Sequence, residues 1–249
     1  MKTPGTPGTP GTPGTPVTPD TPDTPETPGT PDGGDAQAPG GTGGQNGFDM
    51  TGRDRLTRLA DFLFEVGMLR KTPRTGYQFL GSGAENVAEH SFRTAVIGYV
   101  LAGMRGADPL KTMALCLFHD LHEARTGDFN YVNKLYNTSD EKRALTDALT
   151  GTGLRENILD TWRELEARET PESVLAHDAD QLDLIVNLKE ELDLGNRYAA
   201  KWLDCSLERL QTDEARALAR SVMETDHTDW WFQGPDRLWW TKKNGKEQP

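Results

Sequence analysis

The sequence predicts an all-α protein, and three observations carry that prediction. From Asp49 onward apolar residues recur at close to 3.6 positions. Runs that alternate apolar with polar residues are scarce. Gly67, Pro109, Gly127, Gly151 and Gly195 stand where helices would stop or start.

The elements follow in order. Leu56, Leu59, Phe62, Leu63 and Val66 stripe a first helix, ended by Gly67. Residues 70–86, with Pro73, Gly76, Gly81 and Gly83, form the longest loop of the body. Val87, Phe92, Ala95, Val96, Tyr99 and Val100 stripe a second helix, which ends near Gly103 and Gly106. Pro109 opens a third helix, running through Leu115 toward Glu123 and closed by Gly127. Ser139, followed by Glu141 and Lys142, begins a further helix that ends at Gly151, and residues 156–168 form another. Leu175, Ala179, Leu182 and Val186 mark one face of a long helix that Gly195 ends. Residues 198–211 and 213–224 are again helical.

The first 48 residues differ in kind. From Met1 to Pro31 they repeat Thr-Pro-Gly, Thr-Pro-Asp or Thr-Pro-Glu every three residues. Val17, Asp20, Asp23 and Glu26 interrupt the glycine that a collagen helix requires. So few apolar side chains cannot offset the entropy of ordering, and the segment is expected to be a disordered, partly polyproline-like tail. The expected organisation is a low-complexity tail over residues 1–48, one helical domain over 49–228 and a Trp-rich extension over 229–249.

Net charge is −12, of which the tail carries −4 (Lys2 against Asp20, Asp23, Glu26, Asp32 and Asp35). An acidic body argues against a nucleic-acid-binding surface and against an anionic membrane. The start MKTPGTPG lacks the apolar stretch of a signal peptide, and no run reaches membrane-span length. Cys116 and Cys205 lie in apolar patterns and are expected to be buried thiols rather than a disulfide, which points to a cytoplasmic protein.

The stretch LCLFHDLHEARTGD, residues 115–128, sets charged side chains directly behind an apolar run. A buried, unpaired carboxylate costs several kcal/mol, so these residues need a partner, and a metal ion would serve. His119 and Asp120 lie about 100° apart on a helix, and Glu123 follows by four and three residues, over the same patch. His90, in ENVAEHSFRTAV at the start of the preceding helix, is a third candidate ligand. Asp180, in LAHDADQLDLIVNLKEE, is a fourth, with Asp178 and Asp183 as competitors.

The order His90, His119-Asp120, Asp180 resembles the HD-domain metal-dependent phosphohydrolases. ENVAEHS, HDLHEARTGD and ADQL are most similar to the branch containing the HD-type 5′-deoxynucleotidases. PRTGY, residues 73–77, resembles the Pro-Arg-Thr-Gly-aromatic stretch of some members. The resemblance spans roughly residues 54–225. It implies an HD-domain helical bundle in which His90, His119, Asp120 and Asp180 bind one divalent cation. Mn²⁺, Co²⁺, Fe²⁺ and Mg²⁺ suit such a mixed His/carboxylate set, and Zn²⁺ is not excluded by it. The resemblance further implies that Glu123 transfers a proton and that Asp128 contacts the sugar or orients the attacking water. Arg74 and Lys134 would hold the phosphate, and Tyr77 would pack against the base or sugar. The implied substrate is a nucleoside or deoxynucleoside 5′-monophosphate, and the implied assembly a homodimer.

The chemistry makes the same demands without the family. Phosphate monoester hydrolysis is among the slowest uncatalysed reactions, so charge neutralisation and water activation must both be supplied. A guanidinium adds a bidentate fork for the dianion.

Other features and readings stand apart. His122 and His177 are candidates for outer-sphere support of the ligands or for a second metal, and the latter would fit a two-metal HD-type iron oxygenase. An HD module that binds a nucleotide or partner without turnover is a further alternative. A zinc metalloprotease is excluded, because His122-Glu123 is followed by Ala124, Arg125 and Thr126 and no H-E-x-x-H occurs. Finally, DWWFQGPDRLWW is expected to dock a terminal segment onto its own domain or a dimer partner, or to form an exposed partner-binding patch.

Overall fold

The computed structural model describes residues 52–232. The proline-rich segment and residues 233–249 of the Trp-rich extension lie outside the described residues. Among the described residues the chain is all-α, with no strand beyond one isolated bridge, Pro73 to Asn86. The helices are α1 (Arg55–Val66), α2 (Val87–Arg105), α3 (Pro109–Phe118), α4 (Glu123–Thr126), α5 (Asn133–Tyr136) and α6 (Glu141–Leu149). They continue as α7 (Arg155–Ala167), α8 (Pro171–Asp193), α9 (Ala199–Leu207), α10 (Asp213–Glu224) and α11 (Asp229–Phe232). Two 3-10 turns, Gly67–Lys71 and Thr75–Phe79, break up the loop between α1 and α2. None of these helices is long and apolar enough to cross a membrane.

Local chemistry starts the helices. Asn86 caps α2, its side chain accepting from the Glu89 amide while the Glu89 carboxylate reaches back to the Asn86 amide. Thr170 and Ser173 form the same reciprocal pair at the start of α8, with Pro171 at its first position. Packing then fixes their places. α2, α3 and α8 lie against one another, and Leu101, Leu115, Leu175, Leu182 and Ile185 are buried between them. A second cluster, with Phe62, Leu145, Leu149 and Leu159, joins α1, α6 and α7. Each such side chain contributes roughly 1.5–3 kcal/mol over exposure, against about 1 kcal/mol for a cap. Burial decides.

The structure differs from the sequence reading in four places. The third helix stops at Phe118 instead of reaching Glu123; the chain then tightens, with Leu121 N donating to Phe118 O (3.3 Å) and Glu123 N to Asp120 O (3.0 Å). His119 and Asp120 therefore stand at the C-terminal end of α3, where the helix dipole favours a cation. Four apolar residues of the α2 stripe do not face the core: Phe92 is 69% exposed, and Val96, Tyr99 and Val100 are exposed too. The buried side of α2 is instead built of His90, Thr94, Ala95, Gly98, Leu101 and Ala102, mostly small residues that let α3 and α8 come close. Leu56 and Leu63 of α1 are exposed for a similar reason, since α1 packs through Phe62 and the buried Arg58, which donates to the Ala148 and Thr150 carbonyls at the end of α6. Cys205 is exposed, whereas Cys116 is buried as expected, and both are free thiols.

Candidate metal centre and cleft

The donor atoms of His90, His119 and Asp120 form one group, and Asp180 of α8 stands beside the two histidines. His90 Nε2, on the first turn of α2, is 3.1 Å from His119 Nε2, 3.2 Å from Asp180 Oδ1 and 3.6 Å from Asp120 Oδ2. His119 Nε2 is 3.0 Å from Asp120 Oδ2 and 3.9 Å from Asp180 Oδ1. Ligand atoms about 2.1 Å from one ion and at right angles to each other stand roughly 3 Å apart. The donor spacing fits a divalent cation.

The ring orientations fit as well. His90 Nδ1 donates to Asp183 Oδ2 at 2.6 Å, and His119 Nδ1 donates to the Cys116 carbonyl at 2.6 Å. Both rings thereby turn Nε2 toward the common point, as histidine ligands do. Glu123 adds another sign: its Oε2 is buried without a hydrogen-bond partner. Negative charge is concentrated here beyond what the neighbouring cations offset. Burial, with Asp120 and Asp128 beside it, pushes the Glu123 carboxyl up to about 9. Burial opposes charge on His90, but hydrogen bonds to Asp180 and Asp183 outweigh it and raise the imidazole to about 10. Burial likewise opposes ionisation of Asp120 and Asp180, yet the two histidines hold both far below the usual carboxylate range.

The three aspartates of DADQLD are sorted by helical phase. Asp180 and Asp183 are three residues apart, about 60° around α8, so they flank one patch. Asp180 enters the donor cluster, while Asp183 supports His90 from behind. Asp178 points elsewhere, accepting from the Gln211 and Thr212 amides (2.8 Å each) ahead of α10.

A cleft of about 260 Å³ opens over the cluster. Arg74 reaches into it from the Thr75–Phe79 turn, with Nη1 3.4 Å from Asp120 Oδ2 and 3.7 Å from Asp128 Oδ1. Burial works against that guanidinium, and Asp120, Asp180, Asp128 and Glu123 more than restore its charge. Asp128 is itself fixed, Oδ2 accepting from the Thr75 amide at 2.7 Å. Glu123, Asp128, Lys134 and Tyr77 all line the cleft, so every substrate-contact and catalytic candidate of the sequence reading borders it. His122 and His177 do not. His122 Nδ1 lies 3.3 Å from Thr126 Oγ1, and His177 Nε2 donates to the Leu165 carbonyl at 3.0 Å. Among the described residues neither belongs to a three-donor group suited to a metal.

Sequence reasoning missed the support behind His90. The other Asp183 oxygen accepts from Arg93 Nε, and Asn187 Nδ2 joins Asp183 (3.3 Å) to Glu85 (3.0 Å). The available signal was the three-residue step from Asp180 to Asp183. It also missed Trp202 of α9, which lines the cleft and has no motif around it.

Comparison with known proteins identifies the family of the fold. Residues 66–222 match the profile of the HD domain. The chain is 31% identical over 151 residues to 5′-deoxynucleotidase HDDC2 of Dictyostelium discoideum, covering 54% of this chain and 78% of that one. It is 29% identical over 145 residues to 5′-deoxynucleotidase HDDC2 of Danio rerio, with 56% and 72% covered. A conserved hypothetical protein from Pyrococcus furiosus has a solved structure similar to this one, with TM-score 0.57, 25% identity, and 67% of this chain and 99% of that one covered. With a profile that spans most of the described residues, the chain belongs to the HD-domain family.

Proposed function

We propose that this protein is a divalent-metal-dependent phosphohydrolase that converts deoxynucleoside 5′-monophosphates to deoxynucleoside and phosphate. One observation carries the reading: His90, His119, Asp120 and Asp180 lie together beneath a cleft that also holds the Arg74 guanidinium and the Glu123 carboxyl. The names of the relatives from Dictyostelium discoideum and Danio rerio support the nucleotide as substrate class.

The four converging side chains would hold the ion, and Mn²⁺, Co²⁺, Fe²⁺, Mg²⁺ or Zn²⁺ are the candidates. When bound, such an ion offsets charge on the phosphoryl oxygens and acidifies a water molecule. The chain does the rest. Arg74 offers two parallel N–H groups to the phosphoryl oxygens, and Lys134 adds a second positive charge from the side of the cleft. Asp128, tied to the Thr75 amide, keeps Arg74 turned into the cleft. Water attacks phosphorus, the bond from phosphorus to the 5′ oxygen breaks, and Glu123 gives its proton to that departing oxygen. Tyr77 closes the wall beside the sugar.

A second copy of this chain is proposed to cover the outward face of α2. Phe92, Val96, Tyr99 and Val100 recur there at steps of four, three and one, leaving an apolar stripe in solvent. Sedimentation of the wild type and of Phe92→Glu tests this; a monomer in both removes the dimer.

The first experiment is phosphate release from ribo- and deoxynucleoside 5′-monophosphates by metal-stripped protein, reloaded with each of the five ions in turn. Metal-dependent release from deoxynucleotides is expected. Silence across the panel overturns the reading.

A further inference from the structure

Arg74, Asp120 and Asp128 stand together as a charged end of the cleft. Tyr77, Leu80, Leu184, Leu188 and Trp202 also line it, beside Glu85, Asn187 and Arg209. Trp202 is half-buried on α9 and wedged between the two loops that build the charged end. On one side lies Gly76, where an added Cβ would come within 2.8 Å of the indole. On the other lies Tyr131, whose ring meets the indole edge to face at 5.9 Å. Gly76 is two residues past Arg74, and so at most about 7 Å from it along the chain. Tyr131 is three residues past Asp128. Each loop therefore touches the charged end with one residue and the indole with another.

The far side of this aromatic pair is also braced. The Arg209 guanidinium sits over the Tyr131 ring, 4.9 Å from its centroid, and donates to the Tyr131 hydroxyl. It also donates to Gln181 Oε1 at 3.4 Å, and Gln181 in turn donates to Asp180 Oδ2 at 3.0 Å. Tyr131 is thus held by a cation and a hydrogen bond, and Trp202 rests against a fixed ring.

We infer that Trp202 is the base platform: the substrate's heterocycle lies flat against the indole while its phosphate occupies the Arg74 end. The inference rests on the nucleotide reading given above and deepens it, because it assigns a binding surface to the part of the substrate that does not react. A stacking platform is tolerant of base identity, since every base has a π face. The protein should therefore accept purine and pyrimidine nucleotides alike and favour both over a sugar phosphate that lacks a base.

The test is calorimetric binding to the full-length chain, with chelator present to suppress turnover. The probes are a deoxynucleoside 5′-monophosphate and 2-deoxyribose 5-phosphate. The wild type is expected to bind the nucleotide more tightly, and Trp202→Ala to reduce that preference by roughly ten- to hundredfold. Trp202→Leu, which refills the volume beside Gly76 without a π face, should lose the preference too, whereas Trp202→Phe should keep most of it. A purely structural Trp202 would weaken both probes together, and an unchanged preference in the Ala and Leu variants overturns the platform. Nucleotide bound through Trp202 but never hydrolysed with any metal overturns the phosphohydrolase reading alone. Hydrolysis with the preference intact in the variants overturns the platform alone.

Discussion

Asp183 Oδ2 accepts a hydrogen bond from His90 Nδ1 at 2.6 Å, and both side chains are fully buried. The pair fixes which imidazole nitrogen faces the donor cluster. Arg93 and Asn187 hold the carboxylate in turn. Asp183→Asn keeps the shape and removes the charge, and metal affinity should fall about 10–100-fold. Competition with a chromophoric chelator measures it. Equal affinity in the variant would show that His90 is oriented by packing alone.

The ligand set itself separates from its support by degree. Asp120→Ala and Asp180→Ala each remove a donor oxygen and should lose both bound metal and activity, the latter on the order of 10³-fold. Elemental analysis of the purified variants checks the metal. Full metal content in Asp180→Ala would remove α8 from the ligand set.

Glu123 should divide binding from turnover. Glu123→Gln retains the size of the side chain but has no proton to give, so metal content should persist while kcat falls about 10²–10⁴-fold. Parallel metal analysis and steady-state kinetics read the split.

The same carboxyl makes a stability prediction. It is raised from 4.5 to about 9 in the folded chain, so between those values the folded state holds a proton that the unfolded state has lost. Stability of the metal-free protein should therefore fall as pH rises through that window, and Glu123→Gln should flatten the fall. Denaturant titrations at about pH 5 and about pH 8.5 compare the two proteins. An identical pH slope in both would mean that the carboxyl ionises normally.

Gly83 tests the wall of the cleft. Its φ is +77°, and a Cβ there would lie 2.4 Å from Glu191 Oε1 and 2.7 Å from the Tyr77 ring. Gly83→Ala should cost about 1–3 kcal/mol and displace Tyr77, lowering the melting temperature and weakening nucleotide binding together. A loss of stability with binding untouched would take Tyr77 out of the substrate site.

Legibility in the sequence followed the range of the forces involved. Helix periodicity and terminal glycines are local, and the helices of the core were readable from them. Burying ionisable groups beside an apolar run left a visible conflict at His119 and Asp120, whereas Asp180 was singled out from Asp178 and Asp183 only by the resemblance of the motif order. The facing of α2 was readable only in part, because hydrophobicity marks Phe92 and Val96 beside the buried Val87 and Ala95, while close packing also selected Thr94, Gly98 and Ala102. Trp202 was invisible for another reason. Its role comes from Gly76 and Tyr131, more than seventy residues away in sequence, and no spacing rule joins them.

The bridge between Pro73 and Asn86 has its own outcome. Arg74 N donates to Glu85 O (2.9 Å) and Val87 N donates to Thr72 O (3.0 Å), so the loop bearing Arg74 is stitched to the first turn of the helix bearing His90. The Arg74 guanidinium of the cleft and the His90 imidazole of the donor cluster thus share one stitched piece of backbone. That segment cannot swing aside as a separate flap without breaking two backbone hydrogen bonds. In deuterium exchange, the amides of Arg74 and Val87 should open together, at a rate set by unwinding of the first turn of α2.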